Sequence, residues 1–200
     1  EDHKWLLKNG TTTEELKIGD ILPANTQSLD TSDIGFAHGF VFGDGTSNGQ
    51  LRLCKEKDVA YLERLSRVAQ SITYPKFANG DPCLYFKHGR SLWKDLPTTT
   101  NPEYIASFIM GWIAADGSND RLLCSTNKEA LLWFREHAAY AGLVLTGDLR
   151  SQDRDVTINK YEYKQHRIYI QNWCRGASWQ GFKVIDKQYA GMQEVFCPFE

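Results

Sequence analysis

Two runs of the chain spell nearly the same pattern. Gly35–Gly45 reads GFAHGFVFGDG and Ser107–Gly117 reads SFIMGWIAADG. In each, small residues recur four apart within an apolar stretch, Gly39 with Gly43 and Gly111 with Ala115. Residues spaced in this way share one helix face, and small side chains leave that face flat enough for a second helix to come close. Both runs close on Asp-Gly, and Gly45 and Gly117 stand where a helix C-terminus accepts a left-handed residue. Two such faces packed together would bring Asp44 and Asp116 side by side at one end of the seam. Adjacent carboxylates are costly unless a proton or a divalent cation lies between them, so the pattern predicts a metal site. A single apolar run ending in Asp-Gly is an ordinary buried helix with a turn after it; only the duplication sets this pair apart.

The repeat extends past the runs. Asp44 is followed by a polar turn, a strand-like segment ending in Cys54 and a helical pattern; Asp116 is followed by a polar turn, a segment ending in Cys124 and another helical pattern. The offset is 72 residues, which predicts two similar units about a pseudo-twofold axis. These stretches resemble the paired motifs of the LAGLIDADG (dodecapeptide, DOD-type) homing endonucleases, with Ala37–Gly45 and Ile109–Gly117 on the nine-letter core. Phe42 and Ala114 fall on its variable sixth letter. The resemblance covers roughly Ser32 to Trp179.

That resemblance implies an α+β fold of two pseudo-symmetric αββαββα halves, 31–105 and 106–179, whose four-stranded sheets form a saddle over a duplex. Asp44 and Asp116 would be catalytic and would hold two or more Mg²⁺ ions, one aspartate serving each DNA strand. The partner would be double-stranded DNA with a long, non-palindromic site, bound by a monomer. In intein-type members a Lys-x-Ile-Pro segment before the second motif carries a catalytic lysine, and Lys94-Asp-Leu-Pro97 is similar to it. Chemically, a cation there stabilises the charge that builds on a phosphoryl oxygen; the plainer alternative is an exposed lysine before a proline. The second half has no matching motif for such a lysine, Arg175 and Lys164 being the nearest candidates.

Candidate DNA contacts lie on the strand-like segments. Leu51–Cys54 alternates and puts Arg52 on an open face; in Pro82–His88, Leu84 and Phe86 face one way, Tyr85 and Lys87 the other. Arg121 follows the second motif. From Tyr161 to Gln171 the chain alternates again, with Tyr163, Gln165, Arg167, Tyr169 and Gln171 on one face and Ile168 and Ile170 on the other. A face of Tyr, Gln and Arg suits groove-edge hydrogen bonds and phosphate contacts, and equally a solvated sheet.

Elsewhere, Ser32 or Asp33 is expected to cap the first motif helix, and Lys57–Gln70 to form one amphipathic helix through Val59, Leu62, Leu65 and Val68. Ser71–Phe77 and Pro82–His88 pair as strands. Thr126-x-x-Glu129 reads as a capping box opening a helix to about Tyr140, stopped by Gly142. Asp148–Asn159 is polar and reads as a loop.

The outer segments differ in character. Trp5–Leu7 runs into an Asn9-Gly10 hairpin signal, and Leu16-Lys-Ile-Gly-Asp20 precedes another short strand. Residues 1–30 and 180–200 resemble partial Hint (intein) segments. His3 would match the histidine that assists the first acyl shift in splicing; as a residue it is equally a surface histidine. No Cys or Ser nucleophile opens the sequence and no His-Asn pair closes it, so splicing is not expected of this stretch.

Composition sets bounds. A net charge of −2 counts against a wholly basic DNA-binding surface, leaving room only for a local one. Five cysteines without a Cys-x-x-Cys pair argue against zinc or a disulfide framework. A reducing compartment is the expectation from the cysteines, and the resemblance implies an intracellular, cytoplasmic setting in a microbial or phage-infected cell. The expected function is site-specific, Mg²⁺-dependent double-strand DNA cleavage. The alternatives are an intein-type splicing element and a non-cleaving nucleic-acid binder such as an RNA maturase.

Overall fold

The computed structural model describes residues 5–7, 10, 12–13, 15–23, 27–54, 56–87, 92–118, 121–158, 162–175 and 181–184; for some, including 154–158 and 162–166, only the backbone is described. The chain forms two compact units, Asn25–Gly176 and a smaller one made from Glu1–Ala24 and Ala177–Glu200. The fold is α+β, with helices and small antiparallel sheets.

In the smaller unit β1 (Trp5–Leu6) pairs with β2 (Thr12–Thr13), Gly10 between them having φ 83°. This is the hairpin the Asn-Gly signal predicts. A turn with Gly19 at φ 99° leads into β3 (Ile21–Pro23).

The larger unit opens with α1 (Asp33–Asp44). Ser32 caps it, its side chain accepting from the Gly35 amide at 3.1 Å. Next come β4 (Gln50–Arg52), α2 (Glu56–Val59), α3 (Leu62–Ser66), β5 (Ser71–Thr73) and β6 (Cys83–Tyr85). The single helix expected over Lys57–Gln70 is broken. The Tyr61 amide bonds to the Asp58 carbonyl at 3.0 Å, while the Tyr61 ring packs on Phe36 and Phe40 at 5.4 and 5.7 Å between centroids. Tertiary packing thus overrides the helical period, and Val59 is left 43% exposed. The strand pair around Asn79-Gly80-Asp81 forms but is shorter than expected, because Lys76–Ala78 turns into a 3₁₀ helix.

The second half repeats this order. After a 3₁₀ turn at Leu92–Lys94 comes α4 (Pro102–Asp116), where Pro102 starts the helix and the Asn101 side chain accepts from the amides of Glu103 and Tyr104. Then follow β7 (Leu122–Ser125), α5 (Lys128–His137), β8 (Leu143–Ile158) and β9 (Glu162–Arg175). The cap of α5 is Asn127, one residue later than the capping box predicts, and Gly142 at φ 68° ends the following 3₁₀ turn. Asp148–Asn159 was expected as a loop, yet the chain from Leu143 to Ile158 is strand. Its polar residues show no apolar alternation because pairing with β9 supplies the order, with Asp153 directly opposite Arg167. β10 (Gly181–Lys183) returns to the smaller unit and pairs antiparallel with β3.

The two sheets of the larger unit share one topology, β4-β6-β5 and β7-β9-β8, the last strand in sequence lying in the middle. Each has three strands among the described residues, where the resemblance implies four. Each half buries its own apolar cluster, one including Phe40, Leu51, Leu84 and Trp93, the other Phe108, Trp112, Leu123, Phe134 and Trp173.

Helices α1 and α4 join the halves. A Cβ placed on Gly39 would collide with the backbone carbonyl of Phe108, and one placed on Gly111 with that of Phe36. The contact is reciprocal, since Phe36 and Phe108 are separated by the same 72 residues as Gly39 and Gly111. The Ser32 amide donates to Ser107 Oγ at 2.8 Å, and His38 Nδ1 lies 2.9 Å from the Tyr104 hydroxyl, tying the same two segments nearer their starts. Because the obstructing atoms are backbone, no rotamer change relieves them. Gly39→Ala or Gly111→Ala is expected to cost at least about 3 kcal/mol, the upper range for an overpacked core. Urea denaturation followed by circular dichroism measures this; a loss below about 1 kcal/mol would show that the seam is not this tight.

Candidate functional site

The closing glycines do not act as the sequence suggests. Gly45 has φ −89° and ψ −172°, and Gly117 has φ −67° and ψ 142°, so both are extended rather than left-handed. What they share is crowding. A Cβ on Gly45 would come 2.6 Å from Val41 Cγ1, and one on Gly117 3.0 Å from Ile113 Cγ2. Each amide instead caps its own helix, Gly45 on the Val41 carbonyl at 2.9 Å and Gly117 on that of Ile113 at 2.7 Å. The chain therefore leaves both helices sharply, just after Asp44 and Asp116.

The seam brings these helix ends together. A Cβ on Gly43 would lie 2.6 Å from Ala115 Cβ and 3.1 Å from Asp116 Oδ2, so the Asp116 carboxylate sits against α1 one residue before Asp44. Trp112 Nε1 donates to Asp116 Oδ2 at 3.1 Å and fixes the orientation of that carboxylate. By surface area Asp116 is exposed, yet protein crowds its carboxyl group. That desolvation raises its pKa above the ordinary value. The Trp112 hydrogen bond opposes the rise, nearby Asp44 adds to it, and Lys94 and Lys57 oppose it.

Lys94 belongs to this group, as its motif predicts. Its Nζ donates to the carbonyls of Phe42 at 2.7 Å and Gly43 at 3.0 Å. Burial lowers its pKa, against the pull of Asp116 and Asp44. Asp116 and Lys94 line a cleft of about 460 Å³ together with Gly43, Trp112, Ser125 and Thr126.

The donor set suits a hard divalent cation. It consists of oxygen atoms, two carboxylates that disfavour each other's charge, and Mg²⁺ is ordinarily held by one or two carboxylates plus water and phosphate. Among the described residues no cluster of three or more His, Cys, Asp or Glu side chains forms, so water and substrate oxygens would complete the shell.

The candidate DNA contacts are scattered more widely. Arg52 is exposed on the open face of its sheet, as expected, but its Nη2 donates to Asp81 Oδ2 at 2.7 Å and to the Ala78 carbonyl at 3.0 Å. Tyr85 is half-buried beside it, its hydroxyl accepting from Gln50 Nε2 at 3.0 Å; Lys87 and Arg121 are exposed. Arg167 is exposed and paired with Asp153, Nε to Oδ1 at 2.9 Å.

The face predicted on β9 is the wrong one at its C-terminal end. Gln171 is fully buried, accepting from Arg135 Nη1 and donating through Nε2 to the Asn172 carbonyl at 2.8 Å. Tyr169 packs against the second core cluster, and Trp173 on the same face is 1% exposed. Trp173 continues the same alternation, and its large apolar ring marks that side as the core. Asn172, Ile170 and Ile168 hold the opposite face, with Arg150 and Gln152 across from them on β8; Arg150 Nη2 donates to Asn172 Oδ1 at 3.1 Å. The side chains of Tyr163 and Gln165 lie outside what the structure describes, as does His3 entirely.

No protein-family profile matches the chain, and no similar curated protein is found. Among the described residues no helix is long and apolar enough to cross a membrane.

The raised pKa of Asp116 has a consequence for stability. A carboxyl group that binds its proton more tightly when folded stabilises the fold at low pH, and this is lost as pH rises through the folded pKa. At neutral pH the ionised, crowded Asp116 therefore weakens the fold. Asp116→Asn is expected to raise the melting temperature at pH 7 in metal-free buffer, with the difference shrinking as pH falls through the raised folded pKa and gone once pH is below the ordinary 3.8. Calorimetry across that range tests it; a lower melting temperature for the variant at pH 7 contradicts the electrostatics described here.

Proposed function

We propose that the chain is a site-specific, double-strand DNA endonuclease of the LAGLIDADG kind, hydrolysing one phosphodiester on each strand with Mg²⁺. The observation that carries this reading is the meeting of two look-alike helices that deliver Asp44 and Asp116 to one electrostatic neighbourhood, with Lys94 beside them. A protein that used the fold only for packing would gain stability by replacing Asp116.

In this reading Asp44 and Asp116 would hold the Mg²⁺ ions, one aspartate serving each strand, and the Trp112 N–H orients the Asp116 carboxylate. When bound, Mg²⁺ supplies Lewis-acid and water-activating chemistry. Lys94 has three N–H donors, of which two hold the last carbonyls of α1; the third suits a phosphoryl oxygen gaining charge. The two sheets, on pseudo-symmetric halves, would form the saddle. Arg52, Tyr85 and Lys87 on the first, with Arg150, Gln152 and Asn172 on the second, offer the side chains for groove and backbone contacts.

The outer segments support a second reading, as the remnant of a Hint splicing fold. It rests on the antiparallel pairing of β3 with β10, which joins residues from opposite ends of the sequence. Mass spectrometry of a longer chain carrying flanking sequence, looking for ligated or cleaved products, tests it.

For the nuclease, a randomised duplex library incubated with Mg²⁺ and then end-sequenced is expected to return a long, asymmetric site. Asp44→Asn and Asp116→Asn should each lower double-strand cleavage of that duplex by more than about a hundredfold, since even outer-shell partners of a metal are worth roughly 10–100-fold. Binding should stay within about threefold, because the acids are not asked to neutralise phosphates. Removing the cation with EDTA should stop cleavage in the same way. Full cleavage by either variant sinks the assignment, and binding of structured RNA without DNA cleavage favours a maturase.

A further inference from the structure

Both central helices end on a carboxylate and carry no basic residue in the last turn. A helix C-terminus is already the negative end of the backbone dipole, so an aspartate there is doubly unfavourable. Each end receives a lysine from elsewhere. Lys94 holds the carbonyls of Phe42 and Gly43; Lys57 Nζ donates to those of Ala115 at 3.0 Å and Ala114 at 3.4 Å. Ala114 and Ala115 stand 72 residues after Phe42 and Gly43, the interval that also separates the two aspartates. Two ammonium groups thus engage equivalent carbonyls, one and two residues before each acid.

The repeat itself does not supply these lysines. The residue 72 places after Lys57 is Glu129, and the one 72 places before Lys94 is Leu22. Lys94 arrives from the 3₁₀ turn before α4, whereas Lys57 comes from α2 in the first half and crosses to the helix of the second. The same electrostatic arrangement is therefore reached by two unrelated routes, which argues that it serves the helix ends themselves.

We infer that Lys57 is the positioning lysine of the Asp116 end, holding the last turn of α4 as Lys94 holds that of α1; this rests on the nuclease reading above. Lys57 lies on a different side of α4 from the cleft of Asp116 and Lys94, in a larger cleft of about 920 Å³ that also exposes Met110, Ala114 and Gly117. It acts through the helix end and the charge it sets beside Asp116, and its favourable coulombic effect on that carboxylate points the same way.

If one aspartate serves each strand, the loss of Lys57 should fall on one strand. The test uses the full chain and the duplex recovered from the library, each strand labelled separately, with Mg²⁺. Lys57→Met is expected to slow cleavage of one strand by about tenfold, the scale of a charge at a partly buried helix terminus, and to leave the other within about twofold, so that nicked duplex accumulates. Lys57→Gln, which keeps a donor for the carbonyls without the charge, should show the same bias, and Lys57→Arg should restore balanced cutting. If Lys57→Met is too unstable to assay, the Gln and Arg variants decide alone. Equal slowing of both strands, unchanged cutting, or failure of Arg to rescue overturns the inference. Wild-type protein that cuts neither strand overturns the nuclease reading itself and the role of Lys57 with it.

Discussion

The larger unit depends on the absence of two side-chain atoms. Helices α1 and α4 approach until the Cα of Gly39 faces the Phe108 carbonyl and that of Gly111 faces the Phe36 carbonyl. Such proximity is open only to glycine, and because the contact is reciprocal it fixes the register of one helix against the other. From that register the rest follows. The ends of both helices fall together, Gly43 lies against Ala115 and the Asp116 carboxylate, and the two apolar clusters meet across the seam, Ala115 of α4 joining the first and Phe42 of α1 packing on the second.

Close packing at the seam creates an electrostatic problem at its end. Two aspartates sit near each other at the negative termini of two helices, and protein crowds the carboxyl group of Asp116. The fold answers with Lys94 and Lys57 on the terminal carbonyls and with the Trp112 N–H on Asp116. These contacts reduce the cost without removing it, since the pKa of Asp116 stays raised.

The two sheets show how differently faces are assigned. In the first, short strands and clear alternation place Leu51, Leu84 and Phe86 inside and Arg52 and Tyr85 outside, as read from the residues. In the second, Tyr169 and Gln171 have the composition of a contact surface but share their side with Trp173, and they are drawn into the core with it. A buried Gln is tolerated because Arg135 and backbone carbonyls satisfy its amide. The polar strand β8 is likewise invisible to periodicity, because its order comes from pairing with β9.

Local chemistry was legible in the residues themselves. The duplicated small-residue helices, their caps at Ser32 and near Asn127, and the turns at Gly10, Gly19 and Asn79-Gly80 follow from spacing and side-chain type, which act over a few residues or repeat at a fixed interval, whereas Lys94 stood out only through the resemblance of Lys94-Asp-Leu-Pro97 to a family motif. Tertiary structure alone decided the break at Tyr61, the inward turn of Gln171, the extended backbone at Gly45 and Gly117, and the arrival of Lys57 at the end of α4. Each of these depends on atoms distant in sequence meeting at contact range. A lysine reaching two carbonyls more than fifty residues away leaves no periodic trace in the chain that carries it.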